Sequence, residues 1–270
     1  MNLSIQQSLL PPGTLSERFQ RAAEYGFSGV ELTAGGFAGP LADHLADIQQ
    51  ACQVSGLAVS SLCTSSQDDF VHPEPAERTK RLAGLVQNLR LADELGASGV
   101  IALPIRPPVR LPDLSPVADE DTLITQVAVA TLKTALEQTA GVRAAFFLEP
   151  LNRYEARYLR TLAQAAELCR SVGHPRAQLM ADFFHMSIEE ANIAASLDAA
   201  SAPLGHIHLA DSNRQLPGHG HTDFVAPFRV LRRNGYSGWL ALECRVPGDP
   251  AETVPAAAQF LRSCWERAAK

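Results

Sequence analysis

Eight short apolar runs alternate with eight segments of helical periodicity from one end of the chain to the other. That alternation narrows the fold more than any other property of the sequence. The runs lie at 3–8, 29–33, 57–63, 99–104, 144–149, 177–182, 204–210 and 238–243. Each is apolar enough to be buried on both faces, as the strands of a parallel sheet must be. Between them, at about 14–25, 41–54, 75–95, 120–139, 161–171, 187–199, 225–234 and 251–267, apolar residues recur with helical spacing. Eight strand-helix pairs predict an α/β fold, a single (β/α)8 TIM barrel spanning 1–270 as one domain. Gly26, Gly56, Gly96, Gly173 and Gly235 follow helical segments, where a left-handed C′ residue is wanted. Thr14 with Glu17, and Ser187 with Glu190, have the spacing of capping boxes. An open doubly wound sheet fits less well, because no glycine-rich phosphate turn follows the first run.

Four of the runs end on chemistry. Glu149 closes AAFFL, Asp182 closes AQLMA, His208 follows LGHI and Glu243 closes GWLAL. In a barrel the C-terminal strand ends build the active site, so these four side chains are expected to converge at one mouth. Acidic residues often end strands as turn formers or caps, but four in consecutive units, at the same position relative to the strand, point to a common purpose. Three carboxylates and an imidazole form a hard ligand set that suits an open divalent site better than a closed structural zinc. One divalent metal ion is expected, with Mn²⁺, Mg²⁺ and Co²⁺ suited to these ligands and Zn²⁺ less so. The following loops add polar groups able to orient a substrate: Glu155, His185 and Arg214.

Composition excludes several classes. The 270 residues carry a net charge of −6 and three lysines, Lys80, Lys133 and Lys270, so the basic footprint of a nucleic-acid binder is lacking. Lys80 and Lys133 fall inside helical segments and Lys270 is terminal, which leaves no strand-end lysine for a Schiff base. Five cysteines without CxxC spacing form neither a disulfide framework nor a thiolate site. The opening MNLSIQQSLLPPG is not a basic-then-apolar leader, and no run reaches the ~18 apolar residues of a membrane span, so a cytoplasmic location is expected.

Along LEPLNRYE (148–155), ADFFHMSIEE (181–190) and GHIHLADSNRQLPGHGHTDF (205–224) the chain resembles the xylose-isomerase-like superfamily of sugar isomerases and epimerases. Within it, these strings are similar to the ketose 3-epimerases, the D-tagatose and D-psicose 3-epimerase group and 5-keto-L-gluconate epimerase. The detailed resemblance covers about 148–243, while the N-terminal half shares mainly the periodicity and GVEL (29–32). The resemblance implies that Glu149, Asp182, His208 and Glu243 bind the metal, that His185 and Arg214 contact substrate near its carbonyl, and that Glu155 meets a terminal hydroxyl. It also implies a small sugar or sugar-acid substrate and a homo-oligomer, dimer or tetramer.

The expected chemistry is proton abstraction and return at the carbon beside a ketose carbonyl, through a metal-bound enediolate, with Glu149 and Glu243 exchanging the roles of base and acid. The same groups suit an aldose-ketose isomerase of hydroxypyruvate type. A zinc-dependent abasic-site endonuclease is a distant alternative: His219 and His221 could extend the ligand set, but TAGG (33–36) and TSSQ (64–67) supply no further histidines. A non-catalytic sugar-binding barrel would not need two opposed carboxylates. Gln6, Glu31, Phe37, Cys63, Gln67 and His72 are unranked candidates for pocket walls. The segment 104–117 holds five prolines with Arg106 and Arg110, so a semi-rigid flap whose guanidiniums grip an anionic substrate is a further expectation, against ordinary surface ion pairs.

Overall fold

A computed structural model of the chain describes residues 1–64, 69–200 and 202–270; Gln67, one of the pocket-wall candidates, lies outside the described residues. Eight parallel strands pair in sequence order and close on themselves: β1 (Asn2–Gln6), β2 (Gly29–Thr33), β3 (Ala58–Cys63), β4 (Gly99–Ala102), β5 (Ala145–Leu148), β6 (Ala177–Asp182), β7 (Leu204–Leu209) and β8 (Trp239–Leu242). Closure is made by β8 against β1, with Leu3 opposite Leu240 and Ile5 opposite Leu242. The helices among the described residues are α1 (Leu15–Glu24), α2 (Leu45–Ser55), α3 (Pro75–Glu94), α4 (Glu120–Gln138), α5 (Leu162–Val172), α6 (Phe183–Glu189), α7 (Ile193–Ala199), α8 (Val225–Arg233) and α9 (Pro250–Arg267). The expected closed barrel is therefore the architecture, and Lys80 and Lys133 lie in α3 and α4.

Strand alternation divides the apolar residues between two cores. Leu3, Ile5, Val30 and Leu32 are fully buried in the large core that includes helix residues such as Phe19, Ile48 and Leu89. Ile101, Ala145, Phe147 and Met180 form a separate small cluster, with Cys63 packed against it. Phe147 occupies that space because its neighbours are small. A Cβ on Gly99 would lie 2.6 Å from the Phe147 ring, and one on Gly205 would overlap it.

Helix ends follow local chemistry in most places. Thr14 Oγ1 accepts from the Glu17 N–H at 3.3 Å, and Glu17 Oε2 accepts from the Thr14 N–H at 2.8 Å, completing the expected box. All five post-helical glycines adopt positive φ, and Gly56 and Gly173 are the left-handed caps of α2 and α5. The segment 187–199 departs from expectation. It is two short helices, and the first begins at once after β6, because the Asp182 carboxylate accepts from the backbone N–H of Phe184 at 2.7 Å and of His185 at 3.2 Å. Ser187 is thus inside α6, donating to the Phe184 carbonyl, while Glu190 bonds the Leu162 N–H and the Ser196 hydroxyl. Asn192 caps α7.

The proline-rich segment is pinned from several sides. Arg106 makes a forked contact with the largely buried Asp69, its Nε 3.1 Å and Nη2 3.0 Å from Oδ1. Arg110 Nη2 donates to Glu120 Oε2 at 2.7 Å, and Arg157 bridges Glu120 to the Val109 carbonyl. Both flap guanidiniums are therefore engaged by carboxylates of the chain itself, as ion pairs rather than as free anion grips.

Glu120 has a testable pH signature. The hydrogen bond from Arg110, opposed by partial burial and reinforced by Arg157 and the Leu111 N–H, lowers its carboxyl from an ordinary 4.5 to about 2. A depressed folded-state value means stabilisation that is complete above the unfolded value and lost as pH falls toward the folded one. Glu120→Gln is expected to cost about 1 kcal/mol at pH 7, because solvent around the exposed Arg110 screens the pair. In urea denaturation the gap between variant and wild type should narrow from about pH 5 downward; a gap independent of pH would mean that the carboxylate charge contributes nothing.

Candidate metal centre

Each of the four expected ligands stands at the C-terminal end of its strand. Glu149 immediately follows β5, Asp182 ends β6, His208 is the penultimate residue of β7, and Glu243 immediately follows β8. One ligand atom from each lies within 4.8 Å of all the others. His208 Nδ1 is 3.7 Å from Glu149 Oε1, 3.7 Å from Asp182 Oδ2 and 2.9 Å from Glu243 Oε2. Asp182 and His208 are almost completely buried, Glu149 is 5% exposed, and the Glu243 side chain is 24% exposed, which places it on the open side.

The hydrogen-bond inventory tests whether a cation fits. Glu149 Oε1 and His208 Nδ1 are buried and make no hydrogen bond among the described residues, although Nδ1 comes within 2.9 Å of Glu243 Oε2. Buried acceptors left unsatisfied are costly and need an explanation. Three carboxylates converging on an imidazole nitrogen concentrate negative charge where a hard divalent ion is the natural complement.

Electrostatics separate the four groups. Burial raises the Glu149 carboxyl, only partly offset by His208. For Asp182, burial is outweighed by Arg214, His185 and His208, which hold it well below the usual range. Burial of Glu243 is likewise outweighed, by the charges of His208 and Arg214. Burial opposes a charged His208, yet Glu31 and Glu243 raise it well above its ordinary value. The carboxylates draw positive charge to this point, whether a proton or a metal ion.

The neighbouring polar residues gather around the cluster. Arg214 Nη1 bonds Asp182 Oδ2 at 2.6 Å and Nη2 pairs with Glu243, while the guanidinium stacks 4.7 Å above the Phe184 ring. Arg214 has φ of 62°, left-handed for a non-glycine, and its loop is folded around buried Asp211. That carboxylate accepts from the N–H groups of Ser212, Gly218 and Thr222. His185 sits in the first turn of α6 with Nε2 3.8 Å from Asp182 Oδ2. Its Nδ1 accepts from the Asn152 N–H at 3.1 Å and lies 2.7 Å from Asn152 Nδ2, so Nε2 carries the hydrogen on the side of the cluster. Asn152 Nδ2 also donates to Glu155 Oε1 at 2.9 Å, linking the third expected substrate contact to His185.

Other candidates are placed elsewhere. His219 and His221 are exposed and outside the metal-ligand groups found among the described residues, so a multinuclear extension is not assembled there. His72 Nδ1 accepts from the Glu74 N–H beside α3, and the Phe37 ring lies against His44. Glu31 and Gln6 are buried and hydrogen-bonded to each other, with Glu31 reaching His208 from behind. The roles of Asn152, Asp211 and Glu31 were not read from sequence. For the first two a signal existed: Asn152 lies between Glu149 and Glu155, and Asp211 three residues after His208. No helix of the described residues is long and apolar enough to cross a membrane.

Comparison with known proteins is consistent in fold and chemistry. A model described as xylose isomerase-like TIM barrel matches residues 19–264. The 3-dehydro-D-guloside 4-epimerase of Escherichia coli (strain K12) is 32% identical over 273 residues, covering 98% of this chain and 100% of that one. A crystal structure of 3-keto-D-glucoside 4-epimerase from E. coli, in apo form, is 28% identical with a TM-score of 0.85, over 98% of this chain and 100% of that one. A D-psicose 3-epimerase of Ruminiclostridium cellulolyticum is 36% identical over 98 residues, 36% of this chain and 33% of that one.

Proposed function

Because the chain belongs to the xylose isomerase-like TIM barrel family and is a sugar epimerase or isomerase, we propose that it is a divalent-metal-dependent epimerase acting at the carbon beside a sugar carbonyl. The observation that carries this reading is the convergence of one ligand atom each from Glu149, Asp182, His208 and Glu243 within 4.8 Å of one another at one barrel mouth, with Glu149 Oε1 buried and unpaired. Glu149, Asp182, His208 and Glu243 would hold the ion, Mn²⁺ before Co²⁺, Mg²⁺ or Zn²⁺. When bound, it supplies positive charge to substrate oxygens and so acidifies the adjacent C–H.

The residues of the chain do the rest. Glu149 and Glu243 come from the outer two of the four contributing strands, and their environments push their basicities apart, up for Glu149 and down for Glu243. Two carboxylates on opposite sides of the centre suit one group to take a proton and the other to return it, with roles exchanged in the reverse direction. The His185 Nε2–H is aimed to donate to the substrate carbonyl oxygen. Arg214 fixes the orientation of Asp182 and Glu243 and adds a second donor, and Glu155, half exposed, accepts from a hydroxyl at the outer end. In the names of both relatives, 3-dehydro-D-guloside 4-epimerase and D-psicose 3-epimerase, the inverted carbon adjoins the carbonyl. The substrate class is accordingly a 3-keto-hexoside or a 2-ketohexose.

Turnover in D₂O tests the reaction type. Solvent deuterium is expected at the inverted carbon next to the carbonyl. Label confined to C1 or C2 of a ketose would assign aldose-ketose isomerisation instead, and epimerisation without any label would exclude proton exchange as the route.

A further inference from the structure

We propose that Glu31 is the positioning residue of the metal centre: it fixes the tautomer and ring orientation of His208, so that the Nδ1 lone pair points at the three carboxylates. The proposal rests on the metal-centre reading above and deepens it. Glu31 lies on β2, across the barrel and 177 residues from His208, and is fully buried. Its Oε1 accepts from Gln6 Nε2 at 2.9 Å and from His208 Nε2 at 2.8 Å. Its Oε2 accepts from the Ser61 hydroxyl at 2.6 Å and from His206 Nε2 at 2.8 Å. A carboxylate has about four lone-pair sites, so these four donors saturate it.

The tautomer follows from that saturation. A ring nitrogen 2.8 Å from a carboxylate oxygen must carry the hydrogen, since two bare acceptors at that distance repel. Nδ1 faces Glu149, Asp182 and Glu243 and lies 2.9 Å from the Glu243 carboxylate, so by the same rule it holds a proton until a metal ion takes that place; an ion held by the three carboxylates would then meet the Nδ1 lone pair, with the hydrogen kept on Nε2 by Glu31. His206 serves as the opposing prop. It donates to the other oxygen of Glu31, stacks on Phe147 with ring centres 5.3 Å apart, and stands edge-on to His208. Within the close group formed by Glu31, His206 and His208 the Glu31 carboxylate is saturated by four donors, while His206 Nδ1 is buried without a partner; the group supports the centre through Glu31, whereas in the second group the carboxylate oxygen Glu149 Oε1 itself lacks a partner. Among the described residues nothing else is bonded to Nε2, so without the carboxylate a half-turn or a tautomer shift would present N–H to the metal.

The test is Glu31→Gln, which keeps size while its amide can accept from only one of the two imidazoles. Mn²⁺ affinity, measured by competition with a fluorescent chelator, is expected to fall about 10- to 100-fold. Long-range ¹H–¹⁵N spectra of Mg²⁺- or Zn²⁺-loaded, ¹⁵N-histidine protein should show His208 protonated at Nε2 in wild type and a changed ring-nitrogen pattern in the variant; a packing role alone would leave that pattern intact. Glu31→Asp should restore part of the affinity. If E31Q does not fold, Ser61→Ala, which removes one donor to Oε2, replaces it with an expected fall of a few-fold. Unchanged affinity and unchanged ring nitrogens in the folded variant overturn the proposal while leaving the metal centre standing. A wild-type protein that binds no Mn²⁺, Co²⁺, Mg²⁺ or Zn²⁺ overturns the underlying reading itself.

Discussion

Glu149→Gln and Glu243→Gln are each expected to lower kcat by about 10³-fold, the scale of a positioned acid or base. Glutamine keeps an oxygen in place and removes the ability to take up a proton, so the loss should persist at saturating Mn²⁺, where weakened metal binding no longer limits turnover. The two carboxylates are not equivalent in the protein, Glu149 being the more buried and Glu243 paired with Arg214. Their variants should therefore differ in KM and pH profile while sharing the fall in kcat. If either variant retained near wild-type solvent exchange in both directions, a single residue would be carrying the proton and the paired scheme would be wrong.

Metal removal should have an effect of similar size. Protein purified without added metal is expected to contain about one divalent ion per chain. Verified depletion with EDTA should reduce activity at least about a hundredfold, since Lewis-acid stabilisation of several kcal/mol is lost. Readdition of Mn²⁺ should restore it. His208→Ala should lose metal and activity together, because the ring supplies the one nitrogen ligand among four converging groups. Full activity after complete depletion would remove the metal from the mechanism.

The outline of the fold and most of the centre were legible in the chain because both depend on local order. Strand-helix alternation is a short-range pattern, and a residue that closes an apolar run sits at a strand end wherever that strand goes. What could not be read involves partners chosen by closure of the barrel. Glu31 was visible only as one of six unranked pocket-wall candidates, and its bond to His208 spans 177 positions. Arg106 and Arg110 read equally well as substrate grips or surface pairs until the fold brought up Asp69 and Glu120. The placing of Ser187 failed for a local reason: Asp182 was counted as a strand-end ligand, and its second capacity, capping the helix that starts at the next residue, displaced the expected start by several positions.

Phe147, spread over two side-chain-free positions and packed with Ile101, Ala145 and Met180, has a consequence for traffic. It lies on β5, two residues before Glu149, and fills the barrel beneath it like the base of a flask. Substrate and product share this one site, and like any catalyst the enzyme lowers the barrier equally in both directions. It brings a mixture to balance, and removal of one epimer by another reaction is what gives the flow a sense.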